Sequence, residues 1–288
     1  MTTTSNPTRD QLRQMWSGVA GAWATHVEYV DARGRRLSDR MLELTRPVAG
    51  ERVLELACGT GGPGLDAAPL VEPDGEVVVS DFAPEMTAVA AGRAQSAGLA
   101  NVTARVIDLE QIDEPDGSFD VVLCREGLML VPDPERGARE IRRVLRPGGR
   151  VAISVWGPRE RNPWLGVVFD AVAEQLGAPM PPPGKPHPFS LSGAGRLAAV
   201  LRDAGLACVE VAELSVPYRA ASVDEWWERT VALAGPLAAR LAALPPEAAR
   251  ALHRHAAERI AAYSTPAGLD IPGVCLVAGA VSPEAAAR

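Results

Sequence analysis

Five short apolar segments alternate with helical stretches between Glu51 and Trp156, and this alternation restricts the fold more than any other feature. The segments are rich in β-branched residues, and three are apolar at nearly every position, which is typical of strands covered by helices on both faces. The pattern therefore predicts βαβ units and a parallel sheet. The predicted strands are Arg52–Ala57, Glu76–Ser80, Val102–Ile107, Phe119–Cys124 and Arg150–Trp156.

The helices between these strands are marked by proline and glycine. Helices are predicted at Pro84–Ala97 and Pro134–Leu145, because proline fits a first helical turn and the Pro-Gly-Gly run at Pro147–Gly149 stops the second helix. Pro69 makes the helix after the first strand short or kinked. The core pattern resumes later, with a helix at Ser192–Ala204 and strands at Leu206–Leu214 and Val274–Val281.

Three further segments lie outside this core. The N-terminal segment is predicted to be one amphipathic helix, because apolar residues recur at spacings of three and four. A proline-rich insertion surrounds a helix at Trp164–Leu176, and a second, helical insertion opens with a capping pattern at Ser222 and Glu225. We expect these segments to form a lid over the strand ends. The predicted division is a helical cap (1–45), the core (46–156), an insertion (157–190), continued core (191–214), a helical insertion (215–271) and the last strand with its tail (272–288).

Charge and cysteine content limit the classes of function. The 288-residue chain carries a net charge of −7, which argues against nucleic acid as a partner. It has no apolar run of the roughly 20 residues that a membrane crossing needs, and no secretory signal, so we expect a cytoplasmic protein. Four single cysteines without paired spacing predict no metal site. The sequence leaves open whether the chain forms a homo-oligomer.

The segment Glu55-Leu-Ala-Cys-Gly-Thr-Gly61 begins on the first predicted strand and continues into the glycine turn that follows it. Glycines in this position allow close approach of a nucleotide-like ligand at the carboxyl end of a strand. Gly59, Gly61 and Gly64 also spell GxGxxG, so a nicotinamide-dependent oxidoreductase is an alternative. The carboxylate of Glu55 would repel a pyrophosphate, whereas it suits a ligand that carries an ammonium and a sulfonium, as S-adenosylmethionine (SAM) does.

Two more acids are placed at the ends of the next strands. Asp81 ends the second strand, where it can accept hydrogen bonds from two ribose hydroxyls, as an acid also does in dinucleotide enzymes. Asp108 ends the third, where a carboxylate can accept from an adenine amino group. Acids at three successive strand ends exceed what phosphate-based nucleotide binding requires, so they favour SAM.

The ordered motifs resemble those of the class I SAM-dependent methyltransferases, in particular the branch with ubiquinone/menaquinone methyltransferases and natural-product tailoring enzymes. The motifs are ELACGTG (55–61), DFAPEM (81–86), IDLE (107–110), FDVVL (119–123) and LRPGG (145–149). The resemblance implies an α/β fold with a Rossmann-like, seven-stranded, mostly parallel sheet whose last strand is antiparallel. It also implies SAM as cofactor and a small molecule as methyl acceptor.

The resemblance further implies roles for individual residues. Ten residues are expected to bind the cofactor: Glu55, Gly59, Thr60 and Gly61 at the methionine moiety, Asp81 at the ribose, Phe82 and Met86 beside the adenine, Asp108 and Leu109 at the adenine edge, and Arg125 near the methionine or the acceptor. For Arg125, a structural salt bridge is an equal alternative.

The sequence identifies the residues that would contact the methyl acceptor less clearly than those that would bind the cofactor. His26 is the candidate general base if one is used, although a packed histidine is the default interpretation. Trp23, Tyr29, His187 and Trp227 are the candidate acceptor contacts. The predicted reaction is methyl transfer to an oxygen, carbon or nitrogen of a secondary metabolite or quinone-like compound. A methyltransferase-fold cyclase or decarboxylase is the alternative from another class.

Overall fold

The computed structural model describes residues 7–284 except 236, 239–240 and 242, and strands alternate with helices through its central part. The helices are α1 (Pro7–Thr25), α2 (Val27–Thr45), α3 (Pro63–Val71), α4 (Pro84–Ser96), α5 (Pro134–Val144), α6 (Pro163–Leu176), α7 (Ala194–Asp203), α8 (Val223–Leu233) and α9 (Pro246–Ile260). The strands are β1 (Arg52–Glu55), β2 (Glu76–Asp81), β3 (Val102–Val106), β4 (Phe119–Arg125), β5 (Leu145–Trp156), β6 (Ala207–Ser215), β7 (Tyr218–Ala220), β8 (Ser264–Thr265), β9 (Gly268–Ile271) and β10 (Val274–Val281).

Seven strands form the main sheet, in the order β3-β2-β1-β4-β5-β10-β6. Strands β1 to β5 pair in parallel, whereas β10 runs antiparallel to both β5 and β6. This confirms the predicted seven-stranded sheet with an antiparallel last strand. The strand order reverses between β1 and β4, and ligands of such sheets bind in the crevice at the carboxyl ends of these strands.

The inner strands of the main sheet (β2, β1, β4, β5 and β10) are mostly buried because helices cover both faces, whereas the edge strands β3 and β6 are partly exposed. The right-handed crossovers expected between parallel strands put α3 and α4 on one face and α5 on the other, and α7 packs beside α5 against β6 and β10. Helix α2 packs against α3, β5 and β10, and therefore extends the first layer. The nine-residue length of α3, with Pro69 inside it, agrees with the predicted short helix.

The predicted single N-terminal helix is wrong at His26, where the helical path is kinked between α1 and α2. The backbone of His26 (φ −99°, ψ 19°) still bonds to Ala22 and Val30 through its N–H and C=O. The two halves pack against different partners, because α1 contacts α4 and α8 while α2 lies along the sheet. A regular apolar spacing does not encode such a change of partner.

The sequence analysis predicted a helical insertion at 215–271. The structure corrects this prediction, because β7, β9 and β8 form a small antiparallel sheet within the insertion. These strands have two to four residues, too few for a recognisable alternation. The side chain of Ser222 caps α8 by accepting from the Glu225 N–H at 3.1 Å, as the sequence predicts. Pro147–Gly149 lies inside β5, beside an irregular register with β4, rather than before the strand.

The described residues contain neither a membrane-spanning helix nor a cluster of potential metal ligands. No helix there is both long enough and apolar enough to cross a membrane. No group of three or more His, Cys, Asp or Glu side chains in the same ranges could hold a metal ion.

Candidate active site

Glu55, the last residue of β1, is buried beneath the glycine turn. Its Oε2 accepts a hydrogen bond from the Gly64 N–H at 3.0 Å. Burial raises the pKa of the Glu55 carboxyl to about 7, although the positive charge of Arg125 and the nearby N–H groups oppose this shift. The site therefore holds a carboxyl group that a ligand cation would convert to its ionised form.

Asp81, the last residue of β2, is tied to the backbone on both sides. Its Oδ2 accepts from the Gly59 N–H at 2.9 Å, and its Oδ1 accepts from the Ala83 N–H at 2.9 Å. Burial raises the pKa of this carboxyl, and the N–H donors oppose the increase. Each carboxylate oxygen accepts more than one hydrogen bond, so acceptor capacity is left for a ligand.

The glycine turn between β1 and α3 forms a narrow cradle. Gly59 and Gly61 have φ values of 56° and 91°, which side-chain-bearing residues rarely adopt. A Cβ at Gly64 would lie 2.5 Å from Oε2 of Glu55, so only glycine fits there. The buried Thr60 hydroxyl has no hydrogen-bond partner within the described part of the chain. An unpaired buried hydroxyl beside an open turn suits a polar ligand.

Arg93 on α4 holds this turn in place, a role that the sequence analysis missed. Its Nη1 donates to the carbonyl oxygens of Thr60 at 2.8 Å and Gly61 at 2.9 Å. Its Nη2 pairs with Asp31 of α2. A cation three residues after the buried Ala90 was the available signal, because this spacing puts Arg93 near the inward face of α4.

Asp108 lies two residues after β3, and its carboxylate is already partnered. Oδ1 accepts from the Glu110 N–H at 2.9 Å, while Oδ2 lies 3.1 Å from Nη1 of Arg9 on α1. Arg9 also binds Glu110 at 2.9 Å. The residue expected to read the adenine edge therefore carries an ion pair with the N-terminal helix.

Helix α1 also covers Phe82 and Met86, the two residues predicted to lie beside the adenine. The Arg13 guanidinium lies 4.5 Å from the centre of the Phe82 ring. The buried Met86 packs in one cluster with Val19 and Ala20 of α1. Leu109, expected to contribute its backbone amide, is buried as well. Thus α1 forms one wall of this part of the site.

Arg125, the last residue of β4, reaches the other side of the glycine turn. Its Nη1 donates to the Ser38 hydroxyl at 2.9 Å. A Cβ at Gly34 would lie 2.5 Å from Nη1, and a Cβ at Gly62 would lie 2.7 Å from Nη2. The guanidinium therefore lies between α2 and the turn, close enough to Glu55 to lower the pKa of that carboxyl. No carboxylate within the described ranges lies at salt-bridge distance from Arg125.

The candidate acceptor contacts are spread over several places. Trp23 packs near Gly59, since a Cβ at Gly59 would lie 3.5 Å from Cζ3 of the Trp23 ring. Tyr29 lies against Tyr218, with ring centres 5.3 Å apart. His187 accepts from the Phe189 N–H at 3.1 Å within its own loop, and burial lowers its pKa. Trp227 stacks on His253 of α9 at 4.9 Å, so its ring contacts another part of the insertion.

His26, the candidate base, occupies the kink and is half-buried, and its side chain makes no capping hydrogen bond. Two charged residues near the strand ends were missed by the sequence analysis. Arg33 of α2 lies among aromatic rings, and Glu126 follows β4 with a left-handed φ of 59°. A side-chain-bearing residue in this conformation is strained, and such strain concentrates at functional sites.

Known proteins share this sequence pattern. A family model described as a methyltransferase domain matches residues 47–167. Nocamycin O-methyltransferase of Saccharothrix syringae is 34% identical over 83% of this chain and 90% of its own length. The ubiquinone/menaquinone biosynthesis C-methyltransferase UbiE of Ectopseudomonas mendocina is 34% identical over 56% of this chain, and the match spans 63% of that relative.

Solved structures share the fold. The YcgJ protein of Bacillus subtilis superposes with a TM-score of 0.61 at 22% identity, covering 87% of this chain and 100% of that one. The [4+2]-cyclase SpnF superposes with a TM-score of 0.58 at 22% identity, covering 94% and 97%. These likenesses show the fold alone, whereas the sequence relatives show the family. The chain belongs to the class I SAM-dependent methyltransferases, in the branch that includes the ubiquinone/menaquinone methyltransferases.

Proposed function

We propose that this enzyme methylates an oxygen, carbon or nitrogen of a small-molecule acceptor, either a secondary metabolite or a quinone-like compound. The observation that carries the proposal is the arrangement of Glu55, Asp81 and Asp108 at or just beyond three adjacent strand ends, with the first two bound to backbone N–H groups of the glycine-rich segment. The relatives support the acceptor class, because they include nocamycin, aklanonic acid and demethylmenaquinone methyltransferases.

The residues present fit SAM. The glycine cradle admits a ligand close to the backbone, and the unpaired Thr60 hydroxyl supplies a polar contact within it. SAM supplies a methyl group that is electrophilic because it is bonded to a sulfonium. In our assignment, Glu55 binds the ammonium of the methionine moiety, Arg125 binds its carboxylate, and the Gly59–Gly61 turn surrounds it. Asp81 binds the two ribose hydroxyls.

At the other end of the cofactor, Phe82 and Met86 flank the adenine. Asp108 and the Leu109 amide bind the adenine edge, and this requires Arg9 to share or release Asp108. The protein chiefly orients donor and acceptor and excludes water, because the methyl group needs no further activation. A general base is required only for an acceptor that must lose a proton, and His26 remains our candidate for that case.

We further infer that α1, α2 and the two insertions form a lid that selects the acceptor. Arg93–Asp31, Arg125–Ser38 and Arg9–Asp108 are contacts by which the N-terminal segment closes on the core. The net charge of −7 disfavours nucleic acid as acceptor. We place the enzyme in the cytoplasm, since its four cysteines are free, as expected in a reducing compartment.

Calorimetry tests the proposal directly. We expect SAM and S-adenosylhomocysteine to bind and NADP not to bind comparably. Mass spectrometry of reactions with candidate phenols, enols and carboxylic acids then identifies the atom that gains the methyl group. Tight NADP binding without any response to SAM would contradict the proposed function.

A further inference from the structure

Two residues one turn apart on α2 point unpaired polar atoms into the protein. Nε and Nη2 of Arg33 are buried without hydrogen-bond partners among the described residues, and the buried hydroxyl of Tyr29 lies near that of Tyr218 without a hydrogen bond of good geometry. The spacing of four places both side chains on one face of the helix. Burial raises the pKa of Tyr29 far above its ordinary value, so its hydroxyl stays protonated and is a donor. Buried donors without partners are costly, which favours a ligand role for them.

The two free nitrogens of Arg33 have a defined geometry. In a guanidinium, Nε–H and the adjacent Nη2–H point in parallel from the same edge. That edge binds two oxygens that share one negative charge, in the bidentate manner typical of arginine and carboxylate. An ammonium or a single hydrogen-bond donor would not offer this match.

Flat aromatic surfaces surround the same guanidinium. Its centre lies 4.6 Å from the Trp156 ring, 4.0 Å from Trp164 and 4.7 Å from Tyr218. The rings of Trp164 and Tyr218 are nearly parallel, with centres 5.5 Å apart. These rings come from β5, α6 and β7, so three separate parts of the fold converge on one side chain. Such surfaces stack with planar conjugated groups as well as with guanidinium.

This cluster adjoins the predicted cofactor site. Trp156 is the last residue of β5, and Arg33 precedes Gly34, against which the Arg125 guanidinium packs. Glu126, the residue after Arg125, accepts from the Cys275 thiol at 3.5 Å rather than from Arg33. Burial raises the pKa of Glu126, while the charges of Arg33 and Arg125 oppose that shift. Arg33 thus lies near a carboxylate without being neutralised by a hydrogen bond to it.

We propose that Arg33 determines acceptor specificity by binding a planar conjugated acid through two oxygens that share a negative charge. This inference rests on the proposed function. The acceptor group is a carboxylate or an enolised 1,3-dicarbonyl, its ring system packs against Trp156 or Trp164, and the Tyr29 hydroxyl donates a further hydrogen bond. An acceptor held as its anion has its attacking lone pair available, so no protein base is needed for it.

The test uses probes that carry the proposed group. 2-Naphthoate represents the carboxylate and 2-acetyl-1,3-cyclohexanedione the enolised dicarbonyl, with neutral 2-naphthamide as the control ligand. Calorimetry is performed on the full-length enzyme saturated with S-adenosylhomocysteine. We expect at least one acid probe to bind about tenfold or more tightly than the amide, because a charge-assisted pair of hydrogen bonds is lost in the amide.

Arg33→Lys keeps the charge and removes the two-nitrogen edge, so we expect it to weaken binding of that probe about tenfold. Arg33→Met should abolish the preference for acid over amide, and Tyr29→Phe should weaken binding a few-fold. Arg36→Lys, an exposed change on the same helix, should have no effect. S-adenosylhomocysteine should bind all of these variants as it binds the unmodified enzyme, which separates this proposal from the cofactor assignment.

Two results would overturn the proposal. One is that neither acid probe binds the unmodified enzyme more tightly than the amide does. The other is that Arg33→Lys binds the preferred acid unchanged. If S-adenosylhomocysteine itself fails to bind the unmodified enzyme, the proposed function fails instead.

Discussion

Asp81 at the end of β2 accepts a hydrogen bond of 2.9 Å from the backbone N–H of Gly59, in the turn that follows β1. The acid expected to bind the ribose therefore also fixes the turn expected to surround the methionine moiety. One carboxylate thus couples the two halves of the candidate cofactor site.

Asp81→Ala is expected to weaken binding of S-adenosylhomocysteine by roughly ten- to a hundredfold, because charge-assisted hydrogen bonds to two hydroxyls are lost. Calorimetry gives the dissociation constant, and circular dichroism checks that the fold is intact. Asp113→Ala, at an exposed position after β3, is the matched control and should bind normally. An unchanged dissociation constant for Asp81→Ala would show that β2 does not end at the ribose.

Glu55 makes cofactor binding depend on pH. Its pKa of about 7 in the free enzyme means that the carboxyl is largely protonated below neutrality. A ligand ammonium binds the ionised form, so affinity for S-adenosylhomocysteine should rise about tenfold from pH 6 to pH 8. Binding near pH 7 should also release a proton, which calorimetry detects in buffers with different ionisation enthalpies. Glu55→Gln should remove both effects.

The same raised pKa affects folding stability with a definite sign. The folded state favours protonated Glu55, so this contribution is fully present below about pH 4.5 and is lost as pH rises through about 7. Relative to Glu55→Gln, the unmodified free enzyme should lose about 2–3 kcal/mol of unfolding free energy between pH 4.5 and 8. Parallel pH profiles for the two proteins, obtained by urea denaturation, would contradict the assignment of this pKa.

The main sheet was predictable from the sequence, whereas the packing of α1 against the candidate cofactor site was not. Strands such as Val53 to Glu55 are encoded locally, because apolar runs and glycine turns appear within a few residues of each other. The Arg9–Asp108 ion pair joins distant segments, and neither residue carries a local signal of its partner. The kink at His26 was missed for a related reason, since the apolar spacing continues through it.

Arg9→Ala is expected to loosen α1 and to increase the dissociation rate of S-adenosylhomocysteine a few-fold. Arg9 is partly buried and pairs with both Asp108 and Glu110. Its loss should therefore make the packed position of α1 about 1 kcal/mol less stable relative to an open one. Stopped-flow tryptophan fluorescence measures the rate, because Trp23 packs on the glycine turn. Arg139→Ala, which removes an exposed pair between Arg139 of α5 and Asp133 just before that helix, should leave the rate unchanged. Identical rates for Arg9→Ala and the unmodified enzyme would argue against a lid role for α1.

The default interpretation of His26 as a packed residue, rather than as the candidate base, predicts an effect on stability and not on catalysis. It occupies the cap position of α2 without a side-chain hydrogen bond, so His26→Asn should stabilise the protein by about 0.5–1 kcal/mol through a new cap. Thermal unfolding measures this gain, and turnover should stay within about twofold. A large fall in turnover with unchanged cofactor affinity would identify His26 as the base instead.

Gly127 and Ala57 form a tight pair beside the candidate site. Ala57 adopts a left-handed φ of 51°, and a Cβ at Gly127 would lie only 2.4 Å from its Cβ and 2.9 Å from the Cys124 sulfur. Gly127→Ala should therefore cost about 1–3 kcal/mol of unfolding free energy through overpacking. Ala57→Gly alone should change stability little, because relief of the left-handed strain offsets the greater chain entropy of glycine.

The double variant tests whether the clash between the two β-carbons is the cause. With the Ala57 Cβ removed, the Gly127→Ala substitution should cost less, and the remaining cost should come from Cys124. Urea denaturation of the four proteins gives the coupling free energy, which we expect to be about 1 kcal/mol in favour of the double variant. Strictly additive costs would show that Gly127 is constrained by other neighbours, and that the unusual backbone of Ala57 does not depend on this contact.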